Sequence, residues 1–211
     1  RPKQGEGESG GVDPKEFQRY FEQHGRFTAG MGTHYRPSVI CGEATHQPLA
    51  MGFVIGTRFH SAPVVRATDG KPVHLGHAGK ADGRWRLYAF AGENDHRAPE
   101  AGGLRGLCQF LEQSPDSPIR RYTRPGQDID AIFDLRAIFQ QPRHELARET
   151  LPALLRPHKG RYGLQDYTKV FSPDLRHSPD IFELRGIDRA RGALVVVRPD
   201  QYVAHVLPLD A

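Results

Sequence analysis

Two cysteines, a histidine pair and scattered arginines are the residues that could carry chemistry in this chain. Cys41 and Cys108 lie far apart with no C-x-x-C, so neither a zinc knuckle nor a dithiol redox pair can be built from them. Cys108 stands among Leu104, Leu107 and Leu111, the setting of a small buried side chain and not of a reactive thiolate. Cys41 begins a loop and has no neighbouring base. His74-x-x-His77 could be half of a metal site, but no Cys or acidic partner has supporting spacing, and on a strand the two would face opposite sides. Ser38, Asp95 and His96 permit a triad on paper, yet there is no G-x-S-x-G elbow to expose a nucleophile. Arg120-Arg121 with Arg124 reads as a solvated face able at most to steer an anion, and Arg84 with Arg86 as the exposed side of a strand. No catalytic, cofactor-binding or metal-ligating residue is assigned.

The elements that must position these groups begin at Asp13-Pro14-Lys15-Glu16, a helix start with a capping aspartate, a first-turn proline and a capping-box glutamate. Phe17, Tyr20 and Phe21 then share a face, and Gly25 is expected to end the helix. Phe27–Gly32 is glycine-rich and reads as extended, and residues 37–41 as a short strand. Val64–Ala67 and Val73–Leu75 flank Asp69-Gly70 as a hairpin. Asp82-Gly83 leads into a strand over 84–90, with Trp85, Leu87 and Ala89 on its buried face. A helix is expected over 101–113, a strand over 129–139, helix over 144–155 broken at Pro152, and a short helix capped by Ser178-Pro179. Strands at 193–197 and 202–206 close a second hairpin around Pro199-Asp200. This order predicts an α/β fold: a thioredoxin-like sandwich of a mixed central sheet with flanking helices, preceded by a junction helix. Such a fold closes with one more helix, which Asp210 could cap, so the chain reads as a piece of a longer protein.

The 211 residues weigh 23.6 kDa, enough for one ordinary domain. Lys and Arg number 29 against 25 Asp and Glu, a net +4 without any run of five basic residues, which argues against nucleic acid. No apolar stretch nears the ~20 residues of a membrane span and no leader pattern opens the sequence, so the expected compartment is the cytoplasm. Hydrophobic residues are only 37%, with 23 Gly and 17 Pro, which implies a modest core under long loops.

Several stretches carry a resemblance. Phe17–Phe21 through Phe27–Tyr35 resembles the junction after the flavin and substrate domains of phenol hydroxylase and 3-hydroxybenzoate 4-hydroxylase-type FAD-dependent aromatic monooxygenases. Phe59–Pro63, Lys71–His77 and Gly83–Phe90 resemble the start of their C-terminal domain, and LVVVRPDQYVAHV over 194–206 is its most specific stretch. Residues 1–11 carry no apolar side chain that could anchor them, so 1–12 read as a flexible tail or linker; the resemblance implies a junction helix and glycine-rich connection over 13–58 and the thioredoxin-like domain over 59–211. It implies a structural role: homodimer formation and support of the FAD and substrate domains. Such a parent uses FAD and NAD(P)H to hydroxylate phenolic rings, while no G-x-G-x-x-G follows a strand here, so no cofactor is expected in this chain and it should be inactive alone. Phe17, Tyr20, Phe21, His34 and Tyr35 are the candidate interface residues. The alternative is a stand-alone thiol peroxidase or reductase of the same fold using Cys41 or Cys108. A third is a small-ligand module with a pocket between sheet and loop, for which no convergent polar set can be named.

Overall fold

A computed structural model describes residues 14–96 and 103–210. The chain divides into two units, Arg1–His34 and Tyr35–Ala211. In the first, helix α1 spans Pro14–Thr28. It runs through Gly25, because one glycine costs about 1 kcal/mol and does not break a helix as proline does. The chain leaves helical conformation only at Ala29, so the extended stretch starts later than expected. The Asp13 cap lies outside the described residues.

In the second unit, β1 (Pro63–Arg66) and β2 (Pro72–His74) form the expected hairpin, followed by the single turn α2 (Leu75–Ala78). Then come β3 (Trp85–Phe90), α3 (Gly103–Gln113), α4 (Pro118–Tyr122) and β4 (Phe133–Ile138). A small hairpin of β5 (His158–Lys159) and β6 (Leu164–Gln165) precedes β7 (Val170–Pro173) and α5 (Ile181–Leu184). The hairpin β8 (Ala193–Val197) and β9 (Val203–Leu207) completes the sheet.

Seven strands lie in the order β2-β1-β7-β4-β3-β8-β9. The strands β3, β4 and β7 are parallel, and β8 pairs antiparallel with β3. The unit β3-α3-β4 with the hairpin β8-β9 on the other side of β3 is the thioredoxin-like core of this mixed α/β sheet. One face carries Leu87, Ala89, Leu135, Ala137 and Leu194 under Leu104, Leu107, Cys108 and Leu111 of α3 and Ile119 of α4. Each such aliphatic chain contributes roughly 1.5–3 kcal/mol when fully buried.

The opposite face carries Tyr88, Phe90, Ile138, Phe171, Val195 and Val197. Residues 35–58, expected as a connection, form much of the layer over it: Cys41, Leu49, Ala50, Phe53 and Ile55 are all core. Phe59 stacks between Phe53 and Tyr88 with centroids 4.8 and 4.6 Å away. The same segment covers the β9 edge, since Gly42 N–H donates to Ala204 O, Gly56 to Val203 O and Phe59 to Gln201 O, each at 2.8 Å. An edge strand is thereby paired without a further strand. Gly192 is required at its turn, with φ +70° and a Cβ that would fall 2.3 Å from Phe90 O.

Four local expectations are corrected. Residues 37–41 form a turn bridged from Ser38 to Cys41, with Pro37 unable to extend a ladder. Strand β4 begins only at Phe133, because residues 128–131 close a turn through Ala131 N–H to Asp128 O. Residues 143–155 are three separate 3₁₀ turns, broken by Pro142 and Pro152. The cap of α5 is Asp180, which accepts from Phe182 N–H at 2.9 Å, and not Ser178.

Candidate functional site

Phe17, Tyr20 and Phe21 are brought together on α1, where spacings of three and four residues return to one face. The Phe17 and Phe21 rings lie 6.1 Å apart, and Tyr20 packs on His24 at 4.3 Å. Phe27 continues the aromatic series; a reading that stopped at Gly25 missed it. These four aromatics are 59–80% exposed, and a helix of 15 residues gains its stability chiefly by burying such a face. His34 is exposed in the same unit. Tyr35 belongs to the other unit, where its ring meets Tyr202 edge-on at 4.9 Å and the Arg198 guanidinium at 4.7 Å. Arg198 also pairs with Asp200.

At the amino ends of β3 and β4 the second face of the sheet is charged. Arg86, expected on an exposed side, is 5% exposed. Its Nη2 donates to Asp82 and to Lys80 O, both at 2.8 Å, and its Nε faces Asp134 Oδ2 at 3.2 Å as an ion pair without an aligned hydrogen bond. Strand pairing sets Arg86 beside Asp134, and Arg136 Nε donates to Asp134 at 2.9 Å. Lys169, 1% exposed, donates to Asp130 at 2.6 Å and to Asp134. Lys159 reaches Asp130 at 2.8 Å and Asp166 at 3.3 Å, and Arg84 reaches Asp130 at 3.3 Å. Burial pushes the Asp130 and Asp134 carboxyls up, but the facing cations outweigh it and hold both below their ordinary value. Asp130 Oδ1 is buried without a hydrogen-bond partner, while Asp130 Oδ2 and both Asp134 oxygens are met by cations, and the arrangement is an ion-pair network.

The thiol alternative loses its geometry. Cys41 and Cys108 are each 2% exposed, and burial raises both thiols, Cys108 to about 12. The His74 and His77 rings do meet, 5.4 Å apart, because the chain turns from strand into helix between them. Among the described residues no group of three His, Cys, Asp or Glu could hold a metal ion. Arg120, Arg121 and Arg124 are exposed, as expected.

An FAD pyrophosphate does not fit the turn after β3. There Asp95 Oδ2 accepts from Gly92 N–H at 2.9 Å and from Leu104 N–H at 3.1 Å, placing a carboxylate where a phosphate would need the free amides of α3. Gly5, Gly7 and Gly10 have the spacing of the dinucleotide fingerprint and lie outside the described residues. No helix among the described residues is long and apolar enough to cross a membrane.

Fold and surface together define a thioredoxin-like α/β domain without its redox thiols, attached to an aromatic helix face. The chain belongs to the family described as phenol hydroxylase, C-terminal dimerisation domain, which matches residues 33–211. It is 71% identical over 205 residues to 3-hydroxybenzoate 4-monooxygenase of Comamonas testosteroni, covering 97% of this chain and 32% of that protein. It is 33% identical over 198 residues to the FAD-dependent monooxygenase terD of Aspergillus terreus, covering 92% of this chain and 32% of that protein. The chain thus spans about a third of the length of these curated relatives. A solved thioredoxin domain of a thiol-disulfide oxidoreductase from Bacteroides vulgatus overlays with a TM-score of 0.44 at 11% identity, over 72% of this chain and 86% of that one, a likeness that carries nothing about function.

Proposed function

We propose that this chain is the assembly domain of a cytoplasmic FAD-dependent, NAD(P)H-using aromatic hydroxylase of the 3-hydroxybenzoate type. It joins two copies as a homodimer and supports the catalytic domains, and by itself it hydroxylates nothing. The observation that carries this reading is the family match over 33–211 combined with 71% identity to a relative three times as long. Helix α1 lies outside the matched span, so we assign the Phe17/Tyr20/Phe21 face to docking on the FAD and substrate domains, together with His34, which lies just inside the span but in the same unit as α1. Tyr35, inside the span and in the second unit, goes with the assembly body. Residues 35–58 belong to that body as well, since they supply its core.

Sedimentation equilibrium of the 211-residue chain tests the reading. A mass of twice 23.6 kDa is expected, with no flavin retained after incubation with FAD and desalting. A monomer at every accessible concentration, or stoichiometric retained flavin, overturns it.

A further inference from the structure

Strands β4 and β7 are parallel neighbours, so the chain leaves both at the same end of the sheet. Crevices beyond the carboxyl ends of parallel strands are where α/β sheets take ligands. Here the loop after β4 brings Arg143 and His144, and the loop after β7 brings Arg176 and His177, around a cleft of about 460 Å³. That size suits a small molecule. The β1–β2 turn forms another wall, with Arg143 laid so closely over Gly70 that a Cβ there would sit 3.0 Å from its Nε.

Three side chains of this cleft lack partners. Ser172 on β7 lines it, is 1% exposed, and its Oγ has no hydrogen-bond partner. A buried hydroxyl left so is unfavourable, and a ligand atom would relieve it. The Arg143 and Arg176 guanidinium groups have no hydrogen bond or ion pair among the described residues. The acid in the wall, Asp174, is buried, and its Oδ1 already has His177 Nδ1 as a partner at 3.0 Å.

The lining also suits a carboxylate. Pro72, Pro142 and Pro173 offer an anion no backbone N–H. The guanidinium forks can match a carboxylate in two parallel hydrogen bonds. Val65, Leu175 and the proline rings leave an apolar remainder.

We propose that this cleft binds an organic carboxylate with an apolar body, its carboxylate met by Arg143 and Arg176 and the Ser172 hydroxyl. The inference rests on the cleft alone and stands whether or not the chain dimerises. Benzoate is the probe, titrated into the 211-residue chain by calorimetry, with benzyl alcohol and inorganic phosphate as the neutral and inorganic counterparts. Benzoate should saturate one site at least about tenfold more tightly than either counterpart, the equivalent of one charge-assisted hydrogen bond. R143Q and R176Q, both on exposed side chains, should each weaken it about tenfold, and S172A about threefold, with far-UV dichroism unchanged. Equal binding of benzyl alcohol, tighter binding of phosphate, no saturation by benzoate, or unaltered affinity in R143Q and R176Q overturns the proposal.

Discussion

The layer under α3 and the charged corner on the other side of the sheet are equally inaccessible, yet different forces hold them. Leu104, Leu107 and Leu111 bury hydrocarbon, and their stabilisation is additive, non-directional and indifferent to pH. Lys169, Asp130, Asp134 and Arg86 bury charge, and each is tolerable only while the others stand in place. The first region degrades gradually when a side chain is trimmed. The second fails as a unit, because removing one member leaves its partners desolvated and uncompensated. Equal burial therefore says nothing about how a region will respond to change.

The sharpest way to break this contrast is Lys169→Ala. It leaves two buried carboxylates without their shared cation, and the loss should be about 3–5 kcal/mol. At roughly 2–4 °C per kcal/mol for a domain of this size, the thermal midpoint should fall on the order of 10 °C. A scanning calorimetry shift below about 2 °C would show that the corner is solvated and contributes little. Next in size is Leu104→Ala, expected to cost about 2–5 kcal/mol through lost transfer energy and a cavity. Equilibrium urea unfolding should show a lower midpoint with the same slope; a changed slope would mean that α3 had detached instead of leaving a void.

Acid separates the two regions without mutation. The Asp130, Asp134 and Asp166 carboxyls are raised by burial but lowered further by facing cations and hydrogen bonds, so their folded values lie below the unfolded ~3.9. Their stabilisation is complete above pH ~4 and is lost as pH falls through the folded values. Unfolding free energy should be flat from neutrality to about pH 4 and then drop. Leu104→Ala should run parallel to the parent curve, and Lys169→Ala should flatten in acid; an unchanged acid slope in Lys169→Ala would clear the cluster of responsibility. Asp69, held low by Arg66 at the exposed β1–β2 turn, contributes to the same slope from outside the cluster. A double-mutant cycle on Arg66 and Asp69 should give a coupling of at most about 1 kcal/mol, and a value near that of the buried pairs would erase the contrast.

What could be seen in the residues follows the same division. The α3 stripe and the hairpins β1-β2 and β8-β9 are written within ten or so residues, so periodicity and turn pairs expose them. The charged corner joins Lys169 to Asp130 and Asp134 across 39 and 35 positions, and no local pattern announces it. Alternation along 84–90 marked Leu87 and Ala89 as buried but left Arg86 and Tyr88 on an exposed side, because both faces of β3 are covered. Residues 35–58 escaped for another reason: they pair with β9 and fill the core without regular structure, leaving no period to read. The candidate interface was legible as far as Phe21, by spacing alone, and its extension to Phe27 was hidden by Gly25. Arg143, Ser172 and Arg176 come from separate loops and strands, so only the folded chain assembles their cleft. The assembly role itself was legible through family resemblance, since dimerisation leaves no motif of fixed spacing.

The smallest expected effect belongs to α1, whose pattern imitates α3 while its aromatic side chains stay exposed. Phe17→Ser, Tyr20→Ser and Phe21→Ser together remove three aromatics that are about 60% exposed, and they lie outside the residues matched to the dimerisation family. Surface changes of this kind usually move stability by no more than about 0.5 kcal/mol each. The 35–211 body should therefore melt within about 2 °C of the parent chain, and sedimentation should still give twice the chain mass. The reason is the proposed assignment, under which the α1 face docks on the catalytic domains and not on a second copy. Dissociation of the triple variant into monomers would move the dimer contact onto α1 and make this helix, and not the matched body, the element that joins two copies.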